Sequence, residues 1–307
     1  MLVNSITELI GKTPIVDVSS YFEGLNARLL VKVESFNPGG SVKDRIAFAM
    51  ISKALQEGRV DKNTRIIEPS SGNTGVGLAM VCAALGLDLT IVMPETMTIE
   101  RRMLIKAYGA KLELTPGPMG MKGSIARANE LATENENSFI PMQFENMANP
   151  AVHRATTAQE ILTDTQGNLD FFVSGVGTGG TLSGVSAVLK ELIPQLKVIA
   201  VEPAKSPVIS GGQPGPHKIY GIGPGFVPKT LDMSAFDEVI TVTEDIAFEA
   251  TRLLAKKTGI LAGISSGGAF AIALEFAKRP ENAGKTVLTL LPDTGERYLS
   301  SGVFEGE

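Results

Sequence analysis

Three short segments, each rich in glycine and in residues that carry a hydroxyl or amide group, follow apolar runs of strand length. They are residues 70–75 (SSGNTG), 175–181 (GVGTGGT) and 263–268 (GISSGG). Each precedes a segment with helical periodicity, whose N-terminus would present backbone N–H groups and partial positive charge to an anion. Ligands of open parallel sheets lie beyond the carboxyl ends of the strands. The recurrence favours a binding site for anions over three ordinary strand–helix turns.

A lysine stands at a predicted helix start, in residues 37–45 (NPGGSVKDR). Ser41 is the predicted N-cap of this helix, and Asp44 would complete an approximate capping box. Lys43 would oppose the helix dipole and lie beside Arg45, and both effects favour its neutral amine. A neutral amine is what Schiff-base chemistry requires. A solvated lysine in the first helical turn would account for the same residues.

Composition excludes several other kinds of site. One cysteine cannot build a thiolate metal site, and two histidines 64 positions apart argue against a histidine-based cluster, so no metal is expected. The net charge of −5 comes without a basic stripe, which argues against nucleic acid. The charge-free stretches are broken by polar residues and no signal peptide is evident, so we expect no membrane span and a cytoplasmic protein. His153, His217 and Cys82 are expected to be structural.

The second glycine-rich segment also fits a dinucleotide-binding fingerprint, through Gly175, Gly177 and Gly180. Glu202 follows where an acid that binds ribose would lie, so a nicotinamide-dependent dehydrogenase is an alternative. Against it, the threonine hydroxyls of this segment suit a terminal phosphate better than a bridging pyrophosphate. The dehydrogenase interpretation also leaves the other two segments unexplained.

Apolar runs of strand length alternate with helical segments, which predicts an α/β fold with mainly parallel sheets flanked by helices. A length of 307 residues suggests two domains. We expect a smaller domain at residues 38–147 and a larger one formed by residues 1–37 and 148–307. Strands are predicted at residues 27–33, 65–67, 89–92, 111–114, 171–173, 197–201, 238–242 and 286–291, and helices at 44–57, 74–85, 99–108, 123–133, 156–163, 181–192, 246–257 and 268–278.

Together with residues 296–300 (ERYLS), these motifs resemble the cysteine synthases, or O-acetylserine sulfhydrylases. That family belongs to the tryptophan-synthase-β-like, fold type II group of pyridoxal-phosphate (PLP) enzymes. The likeness runs from about residue 6 to residue 304, in the family's order. It implies two α/β domains, the smaller one mobile, with PLP in the cleft between them.

The resemblance also implies a role for each motif. Lys43 resembles the catalytic lysine that holds PLP as a Schiff base, Asn73 the residue on the ring hydroxyl oxygen, and Ser265 the serine that faces the pyridine nitrogen. The residues similar to the phosphate cradle are Gly177, Thr178, Gly179, Gly180 and Thr181. Those similar to the substrate pocket are Ser70, Ser71, Gly72, Asn73, Thr74, Gln143 and Gly223.

The implied reaction is β-replacement, in which sulfide displaces acetate from O-acetyl-L-serine and gives L-cysteine. A homodimer is implied too, with the C-terminal tail of serine acetyltransferase as a partner. Two neighbouring activities remain as alternatives, cystathionine β-synthase and a synthase that uses O-phosphoserine. The latter usually has an arginine where this chain has Gly223-Pro224-Gly225. The third alternative is a homologue without enzymatic activity, and the presence of Lys43 argues against it. Ser70 and Met142 depart from the usual Thr and Gln, which puts substrate range in question.

Overall fold

The computed structural model describes residues 2–305, which form two compact units. The first unit contains the residues up to Ile10 together with Asn37–Ala148, and the second contains Gly11–Phe36 and the residues from Asn149 onward. The sequence placed residues 1–37 in one domain, whereas the residues up to Ile10 belong to the first unit in the structure. The reason is apolar contact, because Ile10 packs against the core of that unit.

Ten strands lie in the described part of the chain. In chain order they are β1 (Ile15–Asp17), β2 (Arg28–Val33), β3 (Arg65–Pro69), β4 (Asp88–Pro94), β5 (Lys111–Thr115), β6 (Ser138–Phe139), β7 (Phe171–Gly175), β8 (Lys197–Pro203), β9 (Glu238–Val242) and β10 (Thr286–Leu291).

Nine α-helices lie between these strands in residues 2–305. They are α1 (Lys43–Gln56), α2 (Asn73–Leu85), α3 (Ile99–Ala107), α4 (Gly120–Thr133), α5 (Ala148–Val152), α6 (Ala158–Thr165), α7 (Gly180–Leu192), α8 (Glu244–Thr258) and α9 (Ile264–Lys278). A π-helical turn, His153–Thr157, joins α5 to α6. Across these residues, no helix combines the length and the apolar character that a membrane crossing would need.

The first unit is built on a four-stranded parallel sheet in the order β5-β4-β3-β6. Side chains alternate between its two faces, as strand geometry requires. Ile66 and Ile91 belong to a core cluster that also contains residues of α1 and α2. Ile67 and Val92 point the other way and pack against α4. Helices therefore cover both faces, and the carboxyl ends of β3 and β4 lie at one edge.

The second unit contains a six-stranded sheet in the order β1-β2-β10-β7-β8-β9. All of its pairings are parallel except that of β1 with β2, which is antiparallel. Residues of α8 and α9 pack against one face, around Phe270 and Val173. The prediction of an α/β fold with mainly parallel sheets is confirmed. The two shortest strands, β1 and β6, were not predicted, because two or three residues carry no periodicity.

Candidate active site

The first predicted loop joins β3 to α2 in the first unit. Ser70 is buried at the end of β3, and its Oγ accepts the Gly75 N–H at 3.1 Å. Gly72 is the N-cap of α2 and supplies no side-chain cap. The N-terminus of this 13-residue helix can therefore attract an anion through its dipole and through first-turn N–H groups other than that of Gly75, which Ser70 accepts.

Gln143 lies beside this loop although it is 69 residues from it in sequence. The Thr74 hydroxyl donates to Gln143 Oε1 at 2.7 Å, and both side chains are buried. The backbone N–H groups of Met142 and Gln143 donate to the Glu68 carboxylate at 3.0 and 3.3 Å. The structure thus brings the predicted substrate residues of the first unit together around the end of β3.

Glu68 is the functional candidate that the sequence analysis missed. It occupies a buried position of β3, between apolar residues and the Ser70 loop. Burial raises the pKa of its carboxyl to about 7, against the two backbone N–H donors, which lower it. The available signal was an acid directly after the apolar pair Ile66–Ile67 in a predicted strand, since such a group is rarely buried without a partner.

Lys43 is the first residue of α1. Its backbone N–H donates to Ser41 Oγ at 3.2 Å, and Asp44 accepts the Gly39 N–H at 2.6 Å. The helix is assigned from Lys43, with Val42 before it, but Val42 already has helical dihedral angles, so Ser41 acts as the N-cap that the sequence predicted. The Ser41 hydroxyl still binds an N–H group of the first turn.

A glycine of α2 sets the approach of α1. A Cβ atom at Gly77 would lie 3.1 Å from the Lys43 carbonyl oxygen and 3.2 Å from Ala47 Cβ. Both distances are tighter than ordinary contact, so a side chain there would push the helices apart. Gly77 therefore fixes the backbone of Lys43 beside the helix that begins with Asn73.

The second predicted loop joins β7 to α7 in the second unit. Gly179 has a φ of +81°, and a Cβ there would lie 2.5 Å from Leu231 Cβ. A Cβ at Gly177 would collide with the Gly221 carbonyl oxygen. Gly179 is also the N-cap of α7 and gives it no side-chain cap. Small residues are required here because neighbouring backbone packs directly on the loop.

Two threonines of this loop are held by residues that precede it in sequence. Asn149 Nδ2 donates to Thr178 Oγ1 at 2.9 Å. Thr181 Oγ1 lies 3.2 Å from Nε2 of the buried His153, whose Nδ1 lies 2.9 Å from Thr157 Oγ1. His153, expected to be structural, therefore contacts a predicted phosphate residue. These contacts orient both threonine hydroxyls.

The third predicted loop leads into α9. Ser265 is buried in the first turn of that helix, and a Cβ at Gly221 would lie 3.4 Å from its Oγ. The neighbouring Ser266 Oγ is buried and has no hydrogen-bond partner within the described residues. The Gly223 N–H donates to the Val176 carbonyl at 2.9 Å. The second loop, the 221–223 segment and the start of α9 are thus in contact within the second unit.

The residues that suggested other chemistries are engaged elsewhere. The Glu202 carboxylate accepts the N–H groups of Ile209 and Ser210, at 2.8 and 2.9 Å, and the Ser210 hydroxyl. It is occupied by its own loop and does not suit a ribose. Burial raises the pKa of the Cys82 thiol to about 12, which makes it unreactive. His217 binds the Gly223 carbonyl. Within residues 2–305, no three candidate ligands group to hold a metal ion.

Known proteins with similar sequences and structures agree on one family. The family described as "Pyridoxal-phosphate dependent enzyme" matches residues 6–293 of this chain. A cysteine synthase of Staphylococcus aureus is 54% identical over 303 residues, which cover 98% of this chain and 97% of that protein. The chain belongs to the cysteine synthase family of pyridoxal-phosphate-dependent enzymes.

Solved structures of this family superpose closely on the chain. A cysteine synthase of Entamoeba histolytica has a TM-score of 0.97 at 42% identity, covering 100% of this chain and 92% of that one. An O-acetylserine-dependent cystathionine beta-synthase of Helicobacter pylori has a TM-score of 0.93 at 41% identity, covering 99% of each chain. The chain is an enzyme of this family, and its cofactor is PLP.

The residues present fit that cofactor. Lys43 supplies an amine for covalent attachment, and α7 begins after the glycine N-cap Gly179 beside two threonine hydroxyls. No Lys or Arg occurs in residues 175–184, so the helix dipole, N–H groups and hydroxyls must neutralise the phosphate. Ser266 adds a buried hydroxyl with unused hydrogen-bonding capacity near the start of α9.

Proposed function

We propose that the protein is a cysteine synthase that replaces the acetate of O-acetyl-L-serine with sulfide. The Cβ–O bond of the substrate breaks and acetate leaves with its electron pair. Hydrosulfide then forms the Cβ–S bond, and L-cysteine is the product. The observation that carries this proposal is the 54% identity to a cysteine synthase over almost the whole chain. Bound PLP supplies the electron sink for the reaction.

Lys43 is assigned two roles. Its amine holds the cofactor covalently, and once displaced by the substrate amine it removes the Cα proton and later returns it. The position suits this work because the backbone of Lys43 is fixed by α2, while its side chain is only partly buried.

The cofactor's polar atoms are assigned to the predicted loops. The N–H groups of residues 177–181 and the hydroxyls of Thr178 and Thr181 would hold the phosphate. Asn73 would bind the ring hydroxyl oxygen, and Ser265 would lie at the pyridine nitrogen. A serine cannot act as a counter-ion at neutral pH, so a ring nitrogen held by Ser265 would stay largely unprotonated. Ser265 would in this way favour prompt loss of the β-substituent over transamination.

The substrate carboxylate is assigned to residues 70–74 and Gln143. The support is the N-terminus of α2, which begins after the glycine N-cap Gly72, and the side chain of Gln143, whose Oε1 lies 2.7 Å from Thr74 Oγ1. An anion at this place would be stabilised by the helix dipole, by backbone N–H groups and by the side-chain amide. Gly223 is assigned to the same substrate.

Absorbance of the purified holoenzyme tests the function. We expect a visible band from lysine-bound PLP, a change of that band on addition of O-acetyl-L-serine, and its recovery with formation of cysteine when sulfide follows. If serine derivatives change the band but the enzyme forms no cysteine, the assignment to this reaction would be overturned. A protein that binds NAD and not PLP would restore the dehydrogenase interpretation.

Cystathionine synthesis is the second candidate, because the H. pylori relative is named for that activity with the same donor. Competition between sulfide and homocysteine for the same donor distinguishes the two. We expect a higher kcat/KM for sulfide. O-phosphoserine should be a poor donor, since residues 223–225 (GPG) offer no cation to the leaving phosphate.

We also propose a cytoplasmic homodimer that binds the C-terminal tail of serine acetyltransferase. The unpaired, buried Cys82 suits a reducing compartment. Sedimentation of the purified enzyme tests the dimer. Competition between a peptide of the acetyltransferase tail and O-acetyl-L-serine tests the partner, and a peptide that binds without competing would contradict it.

A further inference from the structure

Glu68 is a wholly buried acid that the proposed reaction does not use. Its two carboxylate oxygens accept two consecutive backbone N–H groups, Oε2 from Met142 at 3.0 Å and Oε1 from Gln143 at 3.3 Å. Such fork-like pairing fixes both the position and the orientation of the peptide that it binds. The partners are 74 and 75 residues away in sequence, so the carboxylate ties a distant turn to the end of β3.

The turn that Glu68 binds has an unfavourable backbone conformation. Met142 has a φ of +59°, in the left-handed region that residues with a side chain rarely adopt. Its carbonyl accepts the N–H groups of Glu145 and Asn146, each at 2.9 Å, and Asn146 Nδ2 donates to the Pro141 carbonyl. Strain of this kind persists only where surrounding contacts hold it, and it is common at ligand-binding sites.

The turn carries Gln143 into contact with the substrate loop. Gln143 Oε1 accepts the Thr74 hydroxyl, and the Nε2 amide is the end of the side chain that carries donors. Ser70, at the other side of the loop, accepts the Gly75 N–H and lies two residues beyond Glu68. One carboxylate thus lies between the two segments that are assigned to the substrate carboxylate.

We infer that Glu68 is a positioning residue for recognition of the substrate α-carboxylate. Its hydrogen bonds hold the 142–143 turn against β3, the strand that precedes the Ser70–Thr74 loop. Gln143 and the N-terminus of α2 can then bind the same anion. Glu68 touches neither substrate nor cofactor and acts through Gln143. The inference rests on the proposed assignment of residues 70–74 and Gln143 to the carboxylate.

The test uses the PLP-bound enzyme and two amines that differ only in a carboxylate, L-alanine and ethylamine. Each is titrated against the cofactor absorbance, which reports binding without turnover. In Glu68→Gln the side-chain NH₂ opposes a backbone N–H, so one hydrogen bond is lost and the turn shifts. We expect the Kd of L-alanine to rise about tenfold and that of ethylamine to stay within about twofold.

Glu202→Gln is the matched control. Glu202 is also a buried acid near a strand end that accepts two consecutive backbone N–H groups, but it holds residues 209 and 210. We expect this variant to lose stability and to bind both amines normally. Glu68→Asp serves as a second variant should the Gln variant fold poorly. It keeps the carboxyl group but shortens the side chain by one methylene. We expect its affinity for L-alanine to lie between those of the wild type and Glu68→Gln.

Steady-state kinetics complete the test. In Glu68→Gln the KM for O-acetyl-L-serine should rise about tenfold while kcat changes little. Equal weakening of both amines, or no weakening of L-alanine in either Glu68 variant, would overturn the inference. If the wild type makes no cysteine, but Glu68→Gln still weakens the binding of L-alanine and not that of ethylamine, the proposed reaction is refuted. The role of Glu68 would then remain supported.

Discussion

At the scale of single residues, the proposed chemistry depends on Lys43, Thr181 and Ser265. Lys43 begins α1, Thr181 is the second residue of α7 and lies beside His153, and Ser265 lies in the first turn of α9. None of the three needs a metal or a second acid to act. Their substitution should therefore separate covalent attachment, phosphate binding and ring electronics.

Replacing Lys43 by alanine should remove both the covalent bond to PLP and the base for the Cα proton. We expect cysteine formation to fall by about 10³-fold or more, while PLP still binds through its phosphate. Borohydride reduction of the wild type, followed by peptide mapping, should place the pyridoxyl group on Lys43. Lys53→Ala, on the same helix but half exposed, is the control and should keep activity. A pyridoxyl group on another lysine would contradict the assignment.

Thr181→Val should weaken PLP binding because it deletes a hydrogen bond to a charged phosphate. Such a bond contributes about 1.5–3 kcal/mol, which corresponds to a roughly tenfold to hundredfold rise in the Kd of PLP. Titration of the apoenzyme with PLP measures it, and Thr178→Val should behave similarly. Thr163→Val is the control, since that hydroxyl donates to its own helix at the surface. Unchanged PLP affinity in both cradle variants would rule out the hydroxyls as phosphate ligands.

Ser265→Asp should change the electronics of the bound cofactor rather than its affinity. A carboxylate beside the pyridine nitrogen favours the protonated ring, because an opposite charge stabilises it. We expect slower β-replacement, a new visible band during turnover and detectable keto-acid by-product. Ser265→Ala removes the hydroxyl without adding charge and should give no by-product. An Asp variant with wild-type spectrum and products would place Ser265 away from the ring nitrogen.

At the scale of elements, the site depends on helices that begin where strands end. α2, α7 and α9 each begin after a glycine N-cap, which has no side chain to compete with a ligand for the first N–H groups of the helix. Ser70 accepts one such N–H group in α2, and Thr178 accepts one in α7. The sequence predicted the three loops because glycine and hydroxyl residues are local signals. It could not predict the contacts of the glycines, such as that of Gly77 with α1, because those depend on a second element.

Gly179→Ala should destabilise the protein through the β7–α7 loop. The left-handed φ alone costs about 1–2 kcal/mol for a residue with a side chain, and the clash with Leu231 adds about 1–3 kcal/mol. Gly24→Ala is the matched control, because Gly24 has a φ of +72° with nothing within 4 Å of its Cβ position. Urea unfolding of both variants measures the difference. If both substitutions lower the free energy of unfolding equally, the side chain of Leu231 moves aside without an energetic cost.

At the scale of the whole molecule, stability should depend on pH through Glu68. Its carboxyl has a pKa raised from 4.5 to about 7 in the folded state. Between these values the unfolded chain releases the proton while the folded protein keeps it, so stability falls as pH rises. The loss is complete above about pH 7 and amounts to about 3 kcal/mol.

The stability difference between wild type and Glu68→Gln isolates this effect. The free energy of unfolding of each holoenzyme is measured at pH 5, 6, 7 and 8. As the pH rises, the value for the wild type should fall relative to the value for Glu68→Gln. Other titrating groups cancel in the comparison. A difference that is constant with pH would mean that Glu68 is ionised in the folded protein throughout this range.

The sequence by itself determined the local features of this protein. Strand and helix periodicity located β9 and β10 to the residue and most other elements to within a few residues, since side-chain spacing is set within each segment. The glycine–hydroxyl loops and Lys43 were recognisable because their chemistry follows from residue type and from the start of a helix. The family likewise followed from motifs in order.

Only the tertiary structure decided which distant residues meet. The placement of the residues up to Ile10 with the first unit, the contact of His153 with Thr181, and the pairing of Glu68 with the 142–143 turn all join segments that share no local pattern. Such contacts arise because burial brings polar groups together and each must then find a partner. Glu68 finds its partners on a turn 74 residues away, and no spacing in the sequence encodes that distance.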